Sequence, residues 1–217
     1  MKTGRIQSDN LFNELLDGGF EKGVISTIYG PAASGKTTAA MILSKNVAVE
    51  KKVFFVDTEG GFSVERFSQL SDSELLKNIL LMKPINFEEQ MKTIETISKN
   101  INEKIGLVVV DTISALYRLE KSKNVKEVNN MLNLQISWLT EIARKHNIPV
   151  LLTAQVYSDF EVKDQVKIVG GDFIKYSSKC LVEMTNEPRK GIVKKHRSLP
   201  EDKDIRFKIV NSGFEKI

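Results

Sequence analysis

From position 30 the chain runs Gly30-Pro31-Ala32-Ala33-Ser34-Gly35-Lys36-Thr37, which satisfies G-x-x-x-x-G-K-[ST] at every fixed position. An apolar, β-branched run from Val24 to Tyr29 precedes it, and a helical segment from about Gly35 to Glu50 follows. Set between a strand and a helix, such a loop binds phosphate. Its glycines let the backbone curl until several N–H groups point into one concavity, and the helix N-terminus adds a favourable dipole. Lys36 is then placed to reach β and γ phosphates, and the Thr37 hydroxyl to ligate Mg²⁺. Gly30, Pro31, Ala32, Ala33, Ser34, Gly35, Lys36, Thr37 and the adjoining Thr38 are the candidate nucleotide-binding residues, with ATP and Mg²⁺ as the implied ligands.

Outward from the loop, short apolar runs alternate with segments of helical period. The strands expected are Val53 to Asp57, Ile79 to Met82, Leu107 to Asp111 and Val150 to Thr153. Between them Phe87, Met91, Ile94, Ile97 and Ile101 recur at three- and four-residue spacing, as do Leu132, Ile136, Leu139 and Ala143 up to a helix end near Asn147. Continuous apolar strands separated by helices imply a mostly parallel sheet covered on both faces, with ligands at the carboxyl ends of its strands. After Gly171 the pattern shortens to Lys179 to Met184, Ile192 to His196, Ile205 to Val210 and Phe214 to Ile217, which predicts antiparallel additions to one sheet edge. No linker or repeat divides the chain, so residues 1–217 are expected to form one domain.

Composition bounds the rest. The 217 residues carry 32 Lys plus Arg against 28 Asp plus Glu, a net charge of +4 that is too small to dictate a polyanionic partner. With 41% hydrophobic residues the chain can build a core, yet no apolar run approaches the ~20 residues of a membrane helix. Nor does Met1-Lys2-Thr3-Gly4-Arg5 lead into a secretory signal, so an intracellular place is expected. The lone Cys180 excludes an intrachain disulfide and reads as a buried strand residue, and two separated histidines, His146 and His196, make a poor metal cluster.

Two carboxylates fall where a nucleotide site requires them. Asp111 closes Leu107-Val108-Val109-Val110 at the carboxyl edge of the sheet, where an aspartate holds Mg²⁺ through water; the alternative, a helix N-cap before Thr112, is plausible in isolation and weak beside the loop. Glu59, just past Val56-Asp57-Thr58, can deprotonate a water attacking the γ-phosphate or be merely structural. Gln155, ending Val150-Leu151-Leu152-Thr153-Ala154, suits contact with a γ-phosphate, or is a buried capping amide. In Arg189-Lys190-Gly191-Ile192-Val193-Lys194-Lys195-His196-Arg197 nothing is acidic, so the run is either a solvated edge strand guarded by lysines or an anion-binding face.

The order of these parts, with Leu15-Leu16-Asp17-Gly18-Gly19-Phe20, GPAASGKTT, VDTEGGFSVERF, LVVVDTISALYR, LLTAQV and Gly170-Gly171, resembles the ATPase core of the RecA/RadA recombinases over nearly the whole chain. It is most similar to their short archaeal RadB branch, since the core begins at about residue 3 and leaves no room for an N-terminal helix-hairpin-helix domain. The resemblance implies a RecA-like core with ATP and Mg²⁺, in which Lys36, Glu59 and Gln155 are catalytic, Glu59 as the glutamate base and Gln155 as the γ-phosphate sensor. Thr37 and Asp111 would hold the metal, and Arg66 would stack on adenine. It further implies a weak, DNA-dependent ATPase that binds DNA, single strands above all, and assists the main RadA-type recombinase and other repair proteins in recombination and repair. That activity belongs in the cytoplasm, on the nucleoid, away from membranes.

Lys190, Lys194, Lys195 and Arg197 are the candidate DNA contacts, and the family's DNA-binding loops would correspond to Arg118 to Val128 and Tyr157 to Val169, with Tyr157 and Phe160 as stacking aromatics. Two departures stand out. Ala154 replaces an asparagine common in relatives, and no Phe has Ala three residues later, so filament assembly through an F-x-x-A segment is not expected and a homodimer fits instead. The rival readings are a KaiC-like ring, suggested by Lys195-His196-Arg197, and a small P-loop metabolite kinase.

Overall fold

A computed structural model describes residues 4–120, 124–158 and 166–217. In chain order the elements are β1 (Arg5–Ile6), α1 (Asn10–Leu15), β2 (Phe20–Glu21), β3 (Ile25–Tyr29), α2 (Lys36–Ala48), β4 (Lys52–Asp57), α3 (Val64–Leu70), a 3-10 turn (Ser73–Asn78) and β5 (Ile79–Met82). Then follow α4 (Phe87–Asn100), β6 (Ile105–Asp111), α5 (Ala115–Leu119), α6 (Val125–His146), β7 (Val150–Ala154), β8 (Val156–Ser158) and β9 (Val166–Ile168). The chain finishes with α7 (Gly171–Ser177), β10 (Ser178–Asn186), β11 (Arg189–His196), β12 (Asp204–Val210) and β13 (Gly213–Lys216).

Nine strands form one sheet in the order β13-β12-β11-β10-β3-β7-β6-β4-β5. The five pairings from β10 to β5 are parallel, and the three from β10 to β13 are antiparallel. The mixed α/β architecture expected from the sequence is therefore present, with one refinement. β10 joins β3 in parallel, because it arrives from helix α7 and not from a hairpin, so only β11 to β13 are antiparallel additions.

Alternate residues of the central strands feed two separate cores. Val53, Phe55, Leu107, Val109 and Leu151 face a layer built by α1, α2 and α3. Phe54, Val56, Val108, Val110, Val150 and Leu152 face one built by α4, α5 and α6. That alternation in strands apolar at every position is what burial on both faces demands. Helix α2 is enclosed nearly all round, with Ala39, Ala40, Met41, Ile42, Leu43, Val47 and Ala48 buried, so it shows no amphipathic stripe. By contrast α6 buries one face through Leu132, Ile136, Leu139 and Ala143, and it stops at Asn147, whose left-handed φ of 50° caps it. Cys180 is buried in β10 as expected.

Short helices α1, α3 and α7 and the β8–β9 hairpin carry too few residues for periodicity to reveal them. Their caps are local: the side chains of Asp9 and Ser63 accept hydrogen bonds from the amides of Phe12 and Arg66 at the starts of α1 and α3. No described helix is long and apolar enough to cross a membrane.

Candidate active site

The loop from Gly30 to Gly35 leaves β3 at the carboxyl edge of the sheet, where β6 and β7 also end. Gly30 donates from its amide to the Ala154 carbonyl at 3.3 Å. A Cβ on Gly30 would lie 2.1 Å from the Met184 carbonyl of β10, so the close approach of neighbouring backbone excludes any other residue there. Gly35, at φ 104°, caps α2. Beyond this expected cradle the structure adds an outer brace: Asn186 Nδ2 donates to the Ala32 carbonyl at 3.0 Å, and the Arg189 guanidinium to that of Ala33 at 2.8 Å. The β10–β11 hairpin thus holds the solvent side of the loop.

Lys36 is buried and folds back over its own loop, donating to the Gly30 and Pro31 carbonyls at 2.9 and 2.7 Å. Burial pushes its ammonium pKa down, against the charges of Asp111 and Glu59. Ser34 Oγ is buried beside it with no hydrogen-bond partner. Thr37, 74 residues from Asp111 in sequence, donates from Oγ1 to Asp111 Oδ2 at 2.7 Å. The other carboxylate oxygen accepts from the Thr153 hydroxyl. Burial pushes the Asp111 carboxyl up, and these two hydroxyl donors partly offset it. Hydroxyl and carboxylate oxygens so placed are the hard donors that Mg²⁺ prefers, and they fit the expected metal ligands.

Across a cleft of about 610 Å³ stand Glu59, Gln155 and Arg118. Asp57 aligns the Glu59 loop, since its two carboxylate oxygens accept from the amides of Gly61 and Phe62 at 3.0 and 3.1 Å. Gln155 Nε2 donates to Glu59 Oε1, and the Gln155 backbone amide is held by Ser114 Oγ at 3.1 Å. Gln155 Oε1 is buried and unpartnered. Enclosure by the cleft pushes the Glu59 carboxyl up and the charge of Asp111 adds to this, while Lys36, Arg118 and the Gln155 amide act in the opposite direction. The Gln155 carbonyl accepts from the Val169 amide at 2.9 Å, which ties the cleft to the base of the β8–β9 hairpin.

Loop, lysine, threonine, aspartate, glutamate and glutamine thus converge on one cleft. Arg66 stands beside the cleft without lining it: its guanidinium donates to the carbonyls of Val210 and Asn211, each at 2.9 Å, and to Gln69, so it holds the β12–β13 turn. Ile209, one step before that turn, lines the cleft. The candidate DNA contacts sit on and just beyond β11, each with a protein partner: Lys190 on Asp204 at 2.7 Å, Lys194 on Asp202 at 2.5 Å, Lys195 on the Lys175 carbonyl at 2.6 Å and Arg197 on Glu21 at 2.8 Å. In the expected DNA loops, Tyr157 is on β8 and partly exposed, whereas Phe160 and positions 121–123 and 159–165 lie outside the described residues. Arg118 and Ile209 were missed as cleft residues, and Thr153 as the buried hydroxyl that holds Asp111. Only Thr153 left a trace, a polar side chain ending an apolar strand.

The family model described as Rad51 matches residues 2–217. The chain is 42% identical over 217 residues to the DNA repair and recombination protein RadB of Methanococcus maripaludis, covering 95% of this chain and 98% of that one. It is 38% identical over 222 residues to the protein of the same name from Methanobrevibacter smithii, covering 96% and 94%. A solved structure titled crystal structure of the RadB recombinase superposes with a TM-score of 0.81 at 36% identity, covering 96% of this chain and 97% of the other.

Proposed function

The chain belongs to the Rad51 family, and on that premise we propose that it binds ATP with Mg²⁺ in this cleft, hydrolyses it slowly, binds DNA and assists a RadA-type recombinase in homologous recombination and DNA repair. Residues 1–217 act in this reading as one RecA-like ATPase unit, a monomer or homodimer working on nucleoid DNA in the cytoplasm. The observation that carries it is the Thr37–Asp111 pair beside a buried Lys36. Adjacent Lys36 and Thr37 of the phosphate loop meet Asp111, which is 74 residues from Thr37 in sequence, and each of the three is suited to a metal–triphosphate.

The loop amides cradle the phosphates while Lys36 exchanges its two carbonyl acceptors for β- and γ-phosphate oxygens. Thr37 and Asp111 would hold Mg²⁺, which when bound would supply neutralisation of the charge developing on the β–γ bridge of ATP. Glu59 takes a proton from a water placed in line with that bridge, and enclosure with Asp111 nearby, which raises its carboxyl above the ordinary glutamate range, strengthens it as a base. The unpartnered Oε1 of Gln155 offers that water a second acceptor. Gln155 also carries the state of the γ-phosphate to the β8–β9 hairpin through its carbonyl bond to Val169.

ATP hydrolysis measured with and without single-stranded DNA, beside a pull-down with the cognate RadA-type recombinase, tests this function. Slow turnover, DNA binding and capture of the recombinase are expected; failure to bind ATP or DNA would refute it. The family match decides against a metabolite kinase. A closed ring would show by size exclusion as an ATP-dependent hexamer-sized species, which is not expected.

A further inference from the structure

Among the described residues, every cation in or beside the cleft except one is occupied. Lys36 spends its hydrogens on the Gly30 and Pro31 carbonyls, Arg189 on Ala33, and Arg66 on Val210 and Asn211. Arg118, on α5, lines the same cleft opposite the phosphate loop, and among the described residues no hydrogen bond or ion pair holds its guanidinium. Its neighbours there are Glu59 and Gln155, the groups at the end of the cleft that a γ-phosphate would reach.

A terminal phosphate entering this end brings its charge to a site that already holds the carboxylates of Asp111 and Glu59. The electrostatic cost falls on the triphosphate alone, because a diphosphate stops short of it. A planar fork of five donors, carried on a short helix and otherwise unspent, suits phosphate oxygens better than a lysine does. Helix α5 is itself anchored: the hydroxyl of the adjacent Tyr117 donates to Asn129 Oδ1 of α6 at 2.7 Å, and the Tyr117 ring packs edge-on against Phe87.

We propose that Arg118 contacts the γ-phosphate in cis, so that the protein distinguishes ATP from ADP with a residue of its own chain; this rests on the nucleotide reading above. Arg118 then belongs to the nucleotide cleft, although the family resemblance places it at the start of a DNA-binding loop. The contact needs no neighbouring subunit, so a monomer or dimer retains it.

Calorimetry with Mg²⁺ and either a non-hydrolysable ATP analogue or ADP tests the assignment on the wild type, Arg118→Gln and Arg118→Lys. Loss of a charge-assisted contact should weaken the triphosphate about 10-fold or more in Arg118→Gln, with ADP affinity unchanged. Arg118→Lys, which keeps the charge without the fork, should fall between. Retained ADP binding also reports that the variant is folded. Equal affinities of wild type and Arg118→Gln for the triphosphate, or parallel losses for both nucleotides, would overturn the γ-phosphate contact while leaving nucleotide binding intact. A wild type that binds neither nucleotide would instead remove the reading on which it stands.

Discussion

The two walls of the cleft are built on different terms. On the phosphate-loop side Lys36 and Asp111 are buried, Thr37 is partly so, and each already holds protein partners in the ligand-free chain: Lys36 two carbonyls, Thr37 the carboxylate, and Asp111 a second hydroxyl. On the opposite side Glu59 and Arg118 are exposed, and Gln155 keeps an unpartnered oxygen. The first wall is pre-organised and rooted in the ends of β3, β6 and α2. The second sits on connecting segments and short α5, with hydrogen-bonding capacity in reserve. In the proposed function, most of the binding strength comes from the buried wall, whose groups are already gathered at one place and only exchange protein partners for ligand oxygens. Chemistry and signalling fall, in the same proposal, to the wall that keeps bonding capacity in reserve.

Lys36→Ala attacks the rigid wall where it is most charged. ATP affinity should fall by about 2 to 5 kcal/mol, because phosphate charge loses its buried cation while the backbone cradle survives. Titration calorimetry would measure it, and an unchanged affinity would break the division of labour between the walls. Glu59→Gln does the converse. Nucleotide binding should persist while hydrolysis drops about 10²-fold, the scale of a general base. A matching loss of affinity would show that the two walls are not separable.

The pH profile sharpens the same contrast. Glu59 must be ionised to accept a proton, and enclosure with Asp111 nearby holds its carboxyl above the ordinary glutamate range. The single-turnover rate should thus fall on acidification through a pKa above the ordinary glutamate range, and Glu59→Gln should lose that limb. An acid limb in the ordinary range would place Glu59 in open solvent.

Ala154 probes the seam between the walls. Its side chain is fully buried in the core under α4 and α6, with its carbonyl on the Gly30 amide. Installing the relatives' asparagine should cost about 1 to 3 kcal/mol of stability, since an amide there meets apolar neighbours. Chemical denaturation of Ala154→Asn checks this. Stability unchanged, with stronger DNA stimulation of ATPase, would mean that the amide finds a partner at the cleft.

The smallest effect belongs to the basic strand. Lys194 and Lys195 already engage Asp202 and the Lys175 carbonyl, but exposed pairs of this kind contribute little and can be exchanged for phosphates. If both lysines meet DNA, changing them together to Ala should lower the slope of log affinity against log salt by about 0.7 per contact on single strands, with basal ATPase intact. A wild-type slope would return β11 to the role of a protected strand near the sheet edge.

Several features were legible in the chain because their physics is local. The phosphate loop needs glycines at fixed spacing, buried strands need unbroken apolar runs, and α4 and α6 declare themselves through three- and four-residue spacing. Asp111 follows from its place at the end of such a run. The short α1, α3 and α7 escaped because too few residues lie in each to establish a period, and the direction of β10 escaped because a strand's partner is not written in the strand.

Arg189 marks the boundary most clearly. In sequence it is one more cation in a basic run; in the fold its guanidinium braces the phosphate loop 156 residues away. The amino-acid order alone determined the loop, the strands and helices that frame it, and the identity of the groups able to do chemistry, since these depend on backbone geometry and side-chain type over a few residues. Only the tertiary structure decided that Thr37 meets Asp111, that Arg66 holds the β12–β13 turn, that the β11 lysines already carry protein partners and that Arg118 faces the nucleotide cleft. Those outcomes arise from strand order in the nine-stranded sheet, where pairing energy is spread over distant segments and no local pattern encodes which neighbours meet.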